Sequence, residues 1–357
     1  MMPKIVVTQP IHEEVLARLM QVGEVVMNPG PEPWSEAELH RHLKDADAMM
    51  AFMPDRVDQR TLLHAPRLKT IACALKGYDN FDLKACAQAG VSVSFVPDLL
   101  TEPTAELAIG LAIAAARHVL AGDVSVRKSY AGWRPQLYGM GLHGSIVAVV
   151  GLGAVGRAIV DRLCGFGCAQ LLGVDPHGDD ERLTMVSLGE ALSQSDYVIL
   201  AVPLLDVTRH LVNDTMLEGV RRGQILVNIG RGSVVDEAAV ARALKDERLG
   251  AYAADVYEME DWLLADRPRQ IHPELLQHPS TVFTPHIGSA VKKVRRAIEL
   301  QAAENLLVAL NGNERLHTTR HRTERLMWQL RTARCSHEVT TPENAFGRSM
   351  VLADLIL

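Results

Sequence analysis

The stretch Ser145-Ile-Val-Ala-Val-Val150-Gly151-Leu-Gly153-Ala154-Val155-Gly156 decides how this chain is read. An apolar, β-branched run leads directly into a G-x-G-x-x-G turn, and nineteen residues after Gly156 a second apolar run ends in Asp175. A strand, a glycine turn, a helix and a second strand closed by a carboxylate are what a dinucleotide requires. Gly151 permits the tight turn, Gly153 lets the backbone approach a diphosphate, and Gly156 lets helix and strand pack closely. The helix N-terminus, with Ala154 and Val155, offers its N–H groups to that diphosphate. Asp175 accepts hydrogen bonds from ribose hydroxyls and repels a 2′-phosphate. Pro176-His177-Gly178 brings no arginine to neutralise one, so NAD is predicted over NADP. The plainer reading is that Asp175 caps the turn before Pro176.

With 357 residues the chain has room for two cores, and 48% apolar with 22% charged residues is ordinary for a soluble globular protein. A net charge of -6 without a long basic stretch in the body of the chain excludes an electrostatic case for nucleic acid or an anionic membrane. An anionic substrate must therefore be held by local cations. The start, Met1-Met-Pro-Lys-Ile-Val-Val, enters a strand without the regions of a signal peptide, and Leu107–Ala116 is too short to cross a bilayer. A cytoplasmic protein is expected. Cys73, Cys86, Cys164, Cys168 and Cys335 form no CxxC and share no metal-like spacing with histidine, so no metal is predicted.

Towards the N-terminus, strand-like runs (4–8, 47–52, 69–74, 91–94) alternate with amphipathic helical stretches (11–20, 35–44, 57–64, 81–88), the rhythm of a parallel sheet covered by helices. Pro97 and Pro103 mark a break, a long helix runs from Thr104 to about Ala121, and a loop with Trp133, Pro135 and Tyr138 precedes the glycine turn. Beyond it, strands near 197–202, 224–229, 252–255 and 281–284 complete a second doubly wound sheet, and a last helix runs from about Ala290 to Leu310. Past Asn313 the chain is rich in Arg, His and Thr and has no period, which reads as a poorly ordered or loosely docked tail. Two such domains usually place a site where the carboxyl ends of their strands meet.

Three segments put polar groups at strand ends of the second sheet. Asn228-Ile229-Gly230-Arg231-Gly-Ser-Val-Val-Asp-Glu sets an arginine on a glycine turn, Ala254-Asp255-Val-Tyr-Glu-Met-Glu260-Asp sets carboxylates past the next strand, and Pro285-His286-Ile-Gly288-Ser289 sets a histidine past the last. A histidine can move a proton, an acid can orient its ring, and an arginine can grip two oxygens of an anion.

At these residues the chain resembles the D-isomer-specific 2-hydroxyacid dehydrogenases. The resemblance implies an α/β protein of two doubly wound parallel-sheet domains, with a Rossmann NAD domain (99–289) inserted in a discontinuous flavodoxin-like catalytic domain (1–98 and 290–313), followed by the tail (314–357). It implies that Arg231 binds substrate, that Glu260 supports the histidine and that His286 is the acid/base. It places Asp255 near the nicotinamide, lines the cofactor pocket with Val202 and Pro203, and adds Thr104, Ile229, Gly230 and Gly288 to the cofactor's surroundings. It also implies a homodimer paired through the nucleotide domain, with the loop of Trp133 and Tyr138 projecting across.

Met49-Met-Ala-Phe-Met53-Pro-Asp-Arg-Val, Cys73-Ala-Leu-Lys76-Gly77-Tyr-Asp-Asn-Phe-Asp82, Val96-Pro-Asp-Leu-Leu-Thr, Gly132-Trp133-Arg-Pro-Gln-Leu-Tyr138-Gly and Glu258-Met-Glu-Asp-Trp262 are similar to the phosphite (phosphonate) dehydrogenase branch. Phosphite near neutral pH is largely a dianion, so a second cation beside Arg231 would have a use. Lys76, next to Gly77, fits it, with Arg295 as a further candidate; Met53, Trp133, Tyr138 and Ser289 would wall the pocket. The expected reaction is NAD-dependent oxidation of phosphite. The alternative is a D-2-hydroxyacid dehydrogenase, and a more distant one is the NADH-sensing corepressor that shares the fold.

Overall fold

Short runs of Val, Ile, Leu and Ala, closed by Gly, Pro and Asp, make two separate parallel sheets in this computed structural model, which describes residues 2–129, 132–133 and 136–312. The described residues divide into two units, one up to Pro97 together with the last helix from Arg296, and the other Asp98–Arg295.

The first unit holds β1 (Lys4–Val7), β2 (Glu24–Met27), β3 (Ala48–Ala51), β4 (Thr70–Cys73) and β5 (Ser92–Ser94), in the order β2-β1-β3-β4-β5. That is the flavodoxin-like order, with its reversal between β1 and β3. β3 and β4 are buried along their whole length, as strands covered on both faces must be. Val6, Met49, Ile71, Cys73 and Phe81 form the core of one face. At roughly 1.5–3 kcal/mol for each large apolar side chain, this burial is the main force holding the unit. The chain returns to this unit along the helix Lys292–Leu310, where the backbone N–H and Nδ1 of His12 lie 3.0 and 2.7 Å from Glu299 Oε2.

The second unit holds β6 (Ile146–Val150), β7 (Gln170–Val174), β8 (Thr184–Met185), β9 (Tyr197–Leu200), β10 (Gln224–Asn228), β11 (Leu249–Ala254) and β12 (Thr281–Phe283), in the order β12-β11-β10-β9-β6-β7-β8. The order reverses between β6 and β9, the Rossmann switch point outside which a dinucleotide binds. Along β6 the side chains alternate: Val147 and Val149 join one core with the helix Thr101–Ala116, and Ala148 and Val150 join the other with the helix Glu237–Lys245.

The boundaries differ from the sequence reading at several points. β2 and β8 were not anticipated; β2 begins at Glu24 and its Val-Val-Met run is only half-buried, and β8 has two exposed residues. The helix expected from Thr104 begins at Thr101, because a proline within the first turn leaves no helical hydrogen bond broken. It ends at Ala116, where His118 takes a left-handed φ of 52°, and a second helix, Val119–Lys128, follows. The return to the first unit falls between Arg295 and Arg296, inside the last helix. Pro135, Cys335 and the tail lie outside the described residues.

Candidate active site

The glycine turn has the form that a dinucleotide needs. Gly151 has φ +92°, and a Cβ there would stand 2.7 Å from Val202 Cγ1 and 2.9 Å from the Ala201 carbonyl oxygen. A Cβ on Gly156 would come within 1.9 Å of the Gly151 carbonyl oxygen. A Cβ on Gly153 would meet nothing within 4 Å. Two glycines are thus required by packing, and the middle one leaves the backbone bare at the N-cap of the helix Ala154–Leu163, beside the exposed Ala154 and half-buried Val155. Bare backbone at a helix start fits a diphosphate.

Asp175 follows β7. One carboxylate oxygen accepts the Leu152 N–H at 2.7 Å, and the other accepts those of His177 and Gly178 at 2.9 and 2.7 Å. Burial raises the pKa of this group, but the three backbone donors outweigh it and hold the carboxyl below its ordinary range. Asp175 therefore caps the turn of the exposed Pro176 and ties it to the glycine loop, while its charge stays beside the dinucleotide turn. These contacts are those of the turn-capping reading.

At the end of β10, Asn228 accepts the Gly230 N–H at 3.1 Å and donates to the Arg231 carbonyl oxygen at 2.9 Å, closing the turn that presents Arg231. Ile229 is buried, and Gly230 packs so closely on Val202 that a Cβ would lie 2.5 Å from its carbonyl oxygen. Val202 is half-buried and Pro203 exposed. Arg231 is half-buried and donates from Nη1 to the Gly230 carbonyl at 2.8 Å.

His286 and Glu260 meet as expected. His286 Nδ1 lies 2.9 Å from Glu260 Oε2, and both side chains keep about a quarter of their surface open, 25% and 22%. His286 sits at φ 53°, an uncommon left-handed conformation for a non-glycine residue. Its turn is held by Asp255, only 2% exposed, whose carboxylate accepts the N–H groups of Ile287 and Gly288, each at 2.8 Å, and the Thr284 hydroxyl at 2.6 Å. Burial pushes the Asp255 carboxyl up, against those donors. A Cβ on Gly288 would stand 3.1 Å from Thr104 Oγ1 and 3.2 Å from Asp255 Oδ2, so Thr104, Asp255 and Gly288 form one packed group.

The other expected residues are spread over both units. In the first unit, Lys76 and Gly77 lie half-buried just past the carboxyl end of β4, and Met53 just past that of β3. In the second, Ser289 is half-buried, with Arg295 Nη1 3.5 Å from its hydroxyl. Trp133 and Tyr138 are 78% and 79% exposed, against the expectation that they wall a pocket; flanked by Gly and Pro, they lie outside any helix or strand.

Sequence reasoning missed four supports of the site. The Tyr257 hydroxyl donates to the Thr284 carbonyl at 2.8 Å, bracing the segment before His286. Thr284 ties to Asp255, as above. Glu237 and Glu258 exchange bonds: each accepts the other's backbone N–H, at 3.1 and 2.8 Å, which joins the Arg231 segment to the Glu260 turn. The signal was present as carboxylates inside the NIGRGSVVDE and ADVYEME segments.

Residues 109–288 match the model of the D-isomer specific 2-hydroxyacid dehydrogenase NAD binding domain, half of the chain. The glyoxylate reductase of Pyrococcus furiosus is 34% identical over 328 residues, covering 87% of this chain and 94% of that protein. This chain belongs to the D-isomer specific 2-hydroxyacid dehydrogenase family. Its NAD-binding domain contains the glycine turn, Asp175, Arg231 and the Glu260–His286 pair. Among solved structures of similar fold are the TT0316 protein of Thermus thermophilus (TM-score 0.80, 33% identity, 87% of this chain and 98% of that one) and the pyruvate reductase of Chlamydomonas reinhardtii (TM-score 0.72, 27% identity, 87% and 97%). As a member of this family the chain is an NAD-dependent oxidoreductase. Glyoxylate and pyruvate are 2-oxo acids, whereas the sequence reading put phosphite first.

Proposed function

We propose that Arg231, Glu260 and His286 carry out hydride transfer between a small oxyanion and NAD, and the 2.9 Å contact of His286 Nδ1 with Glu260 carries this reading. When bound, NAD supplies the hydride acceptor. Glu260 takes the Nδ1–H, which leaves Nε2 of His286 to receive a proton, and the carboxylate then steadies the imidazolium. Arg231 holds the substrate oxygens with its planar fork of donors.

The glyoxylate reductase relatives support a 2-oxo acid and its D-2-hydroxy acid as the substrate pair. In that reaction His286 takes the hydroxyl proton as hydride leaves the adjoining carbon. A second donor, phosphite, is favoured by Lys76, which the Cys73–Asp82 segment sets half-buried past β4, and by the four further segments similar to the phosphite-oxidising branch. There water attacks phosphorus and gives its proton to His286, while the P–H hydrogen leaves with both bonding electrons. The cation at position 76 suits a substrate of two negative charges better than one of a single charge.

A panel of substrates tests the reading: phosphite and D-2-hydroxy acids with NAD, glyoxylate and pyruvate with NADH. Lys76→Ala is assayed beside the wild type. If phosphite is the substrate, the variant loses on the order of a hundredfold in kcat/KM, because a buried charge-assisted contact is worth about 1.5–3 kcal/mol and its unpaired partner adds to that. Efficient turnover of glyoxylate with none of phosphite would leave the 2-oxo acid reading alone, and no turnover of either would overturn both.

We also propose that two copies pair through the nucleotide unit. Val119, Leu120, Val124 and Val126 of one short helix are 47–56% exposed, and Trp133 and Tyr138 stand out more fully, an apolar surface of the kind that partners cover. Sedimentation velocity on the same preparation reads the pairing, and a sharp single-chain mass would contradict it.

A further inference from the structure

Five residues beyond Asp175, the side chain of the half-buried Asp180 is covered by arginine. Its side chain is 6% exposed, and its two oxygens accept Arg182 Nε at 2.8 Å, the Arg182 backbone N–H at 3.1 Å and Arg182 Nη2 at 2.7 Å. Arg157, which directly follows Gly156 in the dinucleotide helix, brings Nη1 to 3.5 Å from the same carboxylate. Arg182 also pairs with Asp161 on that helix. The loop carrying Asp180 is fastened to the glycine turn, since Asp175 holds the Leu152 N–H and a Cβ on Gly178 would lie 3.3 Å from Leu152 Cβ.

The residues directly after Asp175 contain no arginine, but two arginines flank the loop that follows it, one on the first turns of the dinucleotide helix and one at Arg182. In sites of this fold an arginine near the ribose accommodates a 2′-phosphate. The Arg182 guanidinium, with Nε and both terminal nitrogens facing carboxylates, is poorly placed to do so because its directed donors are in use, while Arg157 turns one donor towards Asp180 at 3.5 Å.

We propose that Asp180 is a second determinant of cofactor choice: it sequesters Arg157 and Arg182, so that NAD is selected by withholding cations from a 2′-phosphate as well as by the charge of Asp175. This rests on the NAD reading of the glycine turn. The Arg182 contacts hold the Asp180 carboxyl below its usual range, at about 2, so the lock is charged near neutral pH.

The test is equilibrium binding of NAD and NADP to the full chain by titration calorimetry, with Asp180→Asn, Asp175→Ala, the two combined, and the combination carrying Arg157→Ala and Arg182→Ala. Asparagine keeps an oxygen for the Arg182 backbone N–H and removes the charge, so the loop retains its turn. Releasing charge-assisted donors should tighten NADP binding, relative to NAD, by about tenfold or more in the combined variant over Asp175→Ala alone. That gain should vanish when both arginines are removed. An unchanged NADP/NAD ratio on adding Asp180→Asn would overturn the proposal. So would a gain that survives loss of both arginines, which would mean that removing a negative charge is the whole effect. A wild-type chain that binds neither nucleotide would instead overturn the NAD reading itself.

Discussion

His286 shows how a single residue's chemistry depends on groups that do none themselves. Asp255 accepts the N–H groups of the two residues after its left-handed backbone, Glu260 meets its ring, and Asp255 is among the most enclosed acids of the second unit. A comparable enclosed acid occurs in the first unit. Asp55, within the Met49–Val57 segment, accepts the Phe52 N–H at 2.6 Å and the Thr8 hydroxyl, and burial raises its pKa to about 6 despite both donors. The native state therefore holds a proton that the unfolded chain releases near pH 4. The stabilisation from this proton is complete below the unfolded pKa and is lost as pH rises through about 6. At about 1.4 kcal/mol per unit, Asp55→Asn should gain roughly 2–3 kcal/mol relative to wild type between pH 4 and pH 7.5. Urea unfolding at the two pH values measures the difference, and one that did not change with pH would show that Asp55 is not ionised at a cost. The arginine, acid and histidine stood out in the sequence because each follows a strand within a recognisable segment. Asp180's hold on Arg157 and Arg182 did not, since Arg157 lies on a separate helix and the loop carrying Asp180 and Arg182 has no regular pattern.

Among the elements, the glycine turn separates packing from binding most cleanly. Gly156 faces the Gly151 carbonyl and Gly153 faces open space, so the same methyl group should act in opposite ways at the two positions. Gly156→Ala forces helix from strand and should lower the thermal midpoint by several degrees, an overpacking cost of about 1–3 kcal/mol. Gly153→Ala should leave the midpoint nearly unchanged but weaken NAD binding by tenfold or more, because its Cβ occupies the space the diphosphate approaches. Calorimetry and nucleotide titration read the two effects, and a Gly153→Ala protein that bound NAD normally would place the diphosphate elsewhere. β6, β9, β10 and β11 were legible as apolar runs because buried parallel strands need them. β2 holds only Val25, Val26 and Met27 after the exposed Glu24 and is half-buried, so its run is a weaker signal, and the break at His118 is made by one left-handed residue after an apolar helix.

For the whole molecule, two parallel sheets with different strand orders each present a switch point, and the chain crosses between the units near Pro97 and inside its last helix. The alternation of strands and helices made the two parallel sheets legible, whereas the insertion of one unit within the other was expected only from the family resemblance. Sequence spacing leaves two substrates open, because an arginine, a carboxylate and a histidine can serve a carboxylate and a phosphite alike. The central claim is common to both: hydrogen passes directly between a small oxyanion and the nicotinamide. It is tested by supplying the turned-over substrate with deuterium on the reacting phosphorus or carbon, together with unlabelled NAD, and measuring the mass of the NADH. The account predicts one deuterium in each NADH; deuterium released to water, with unlabelled NADH formed, would contradict it.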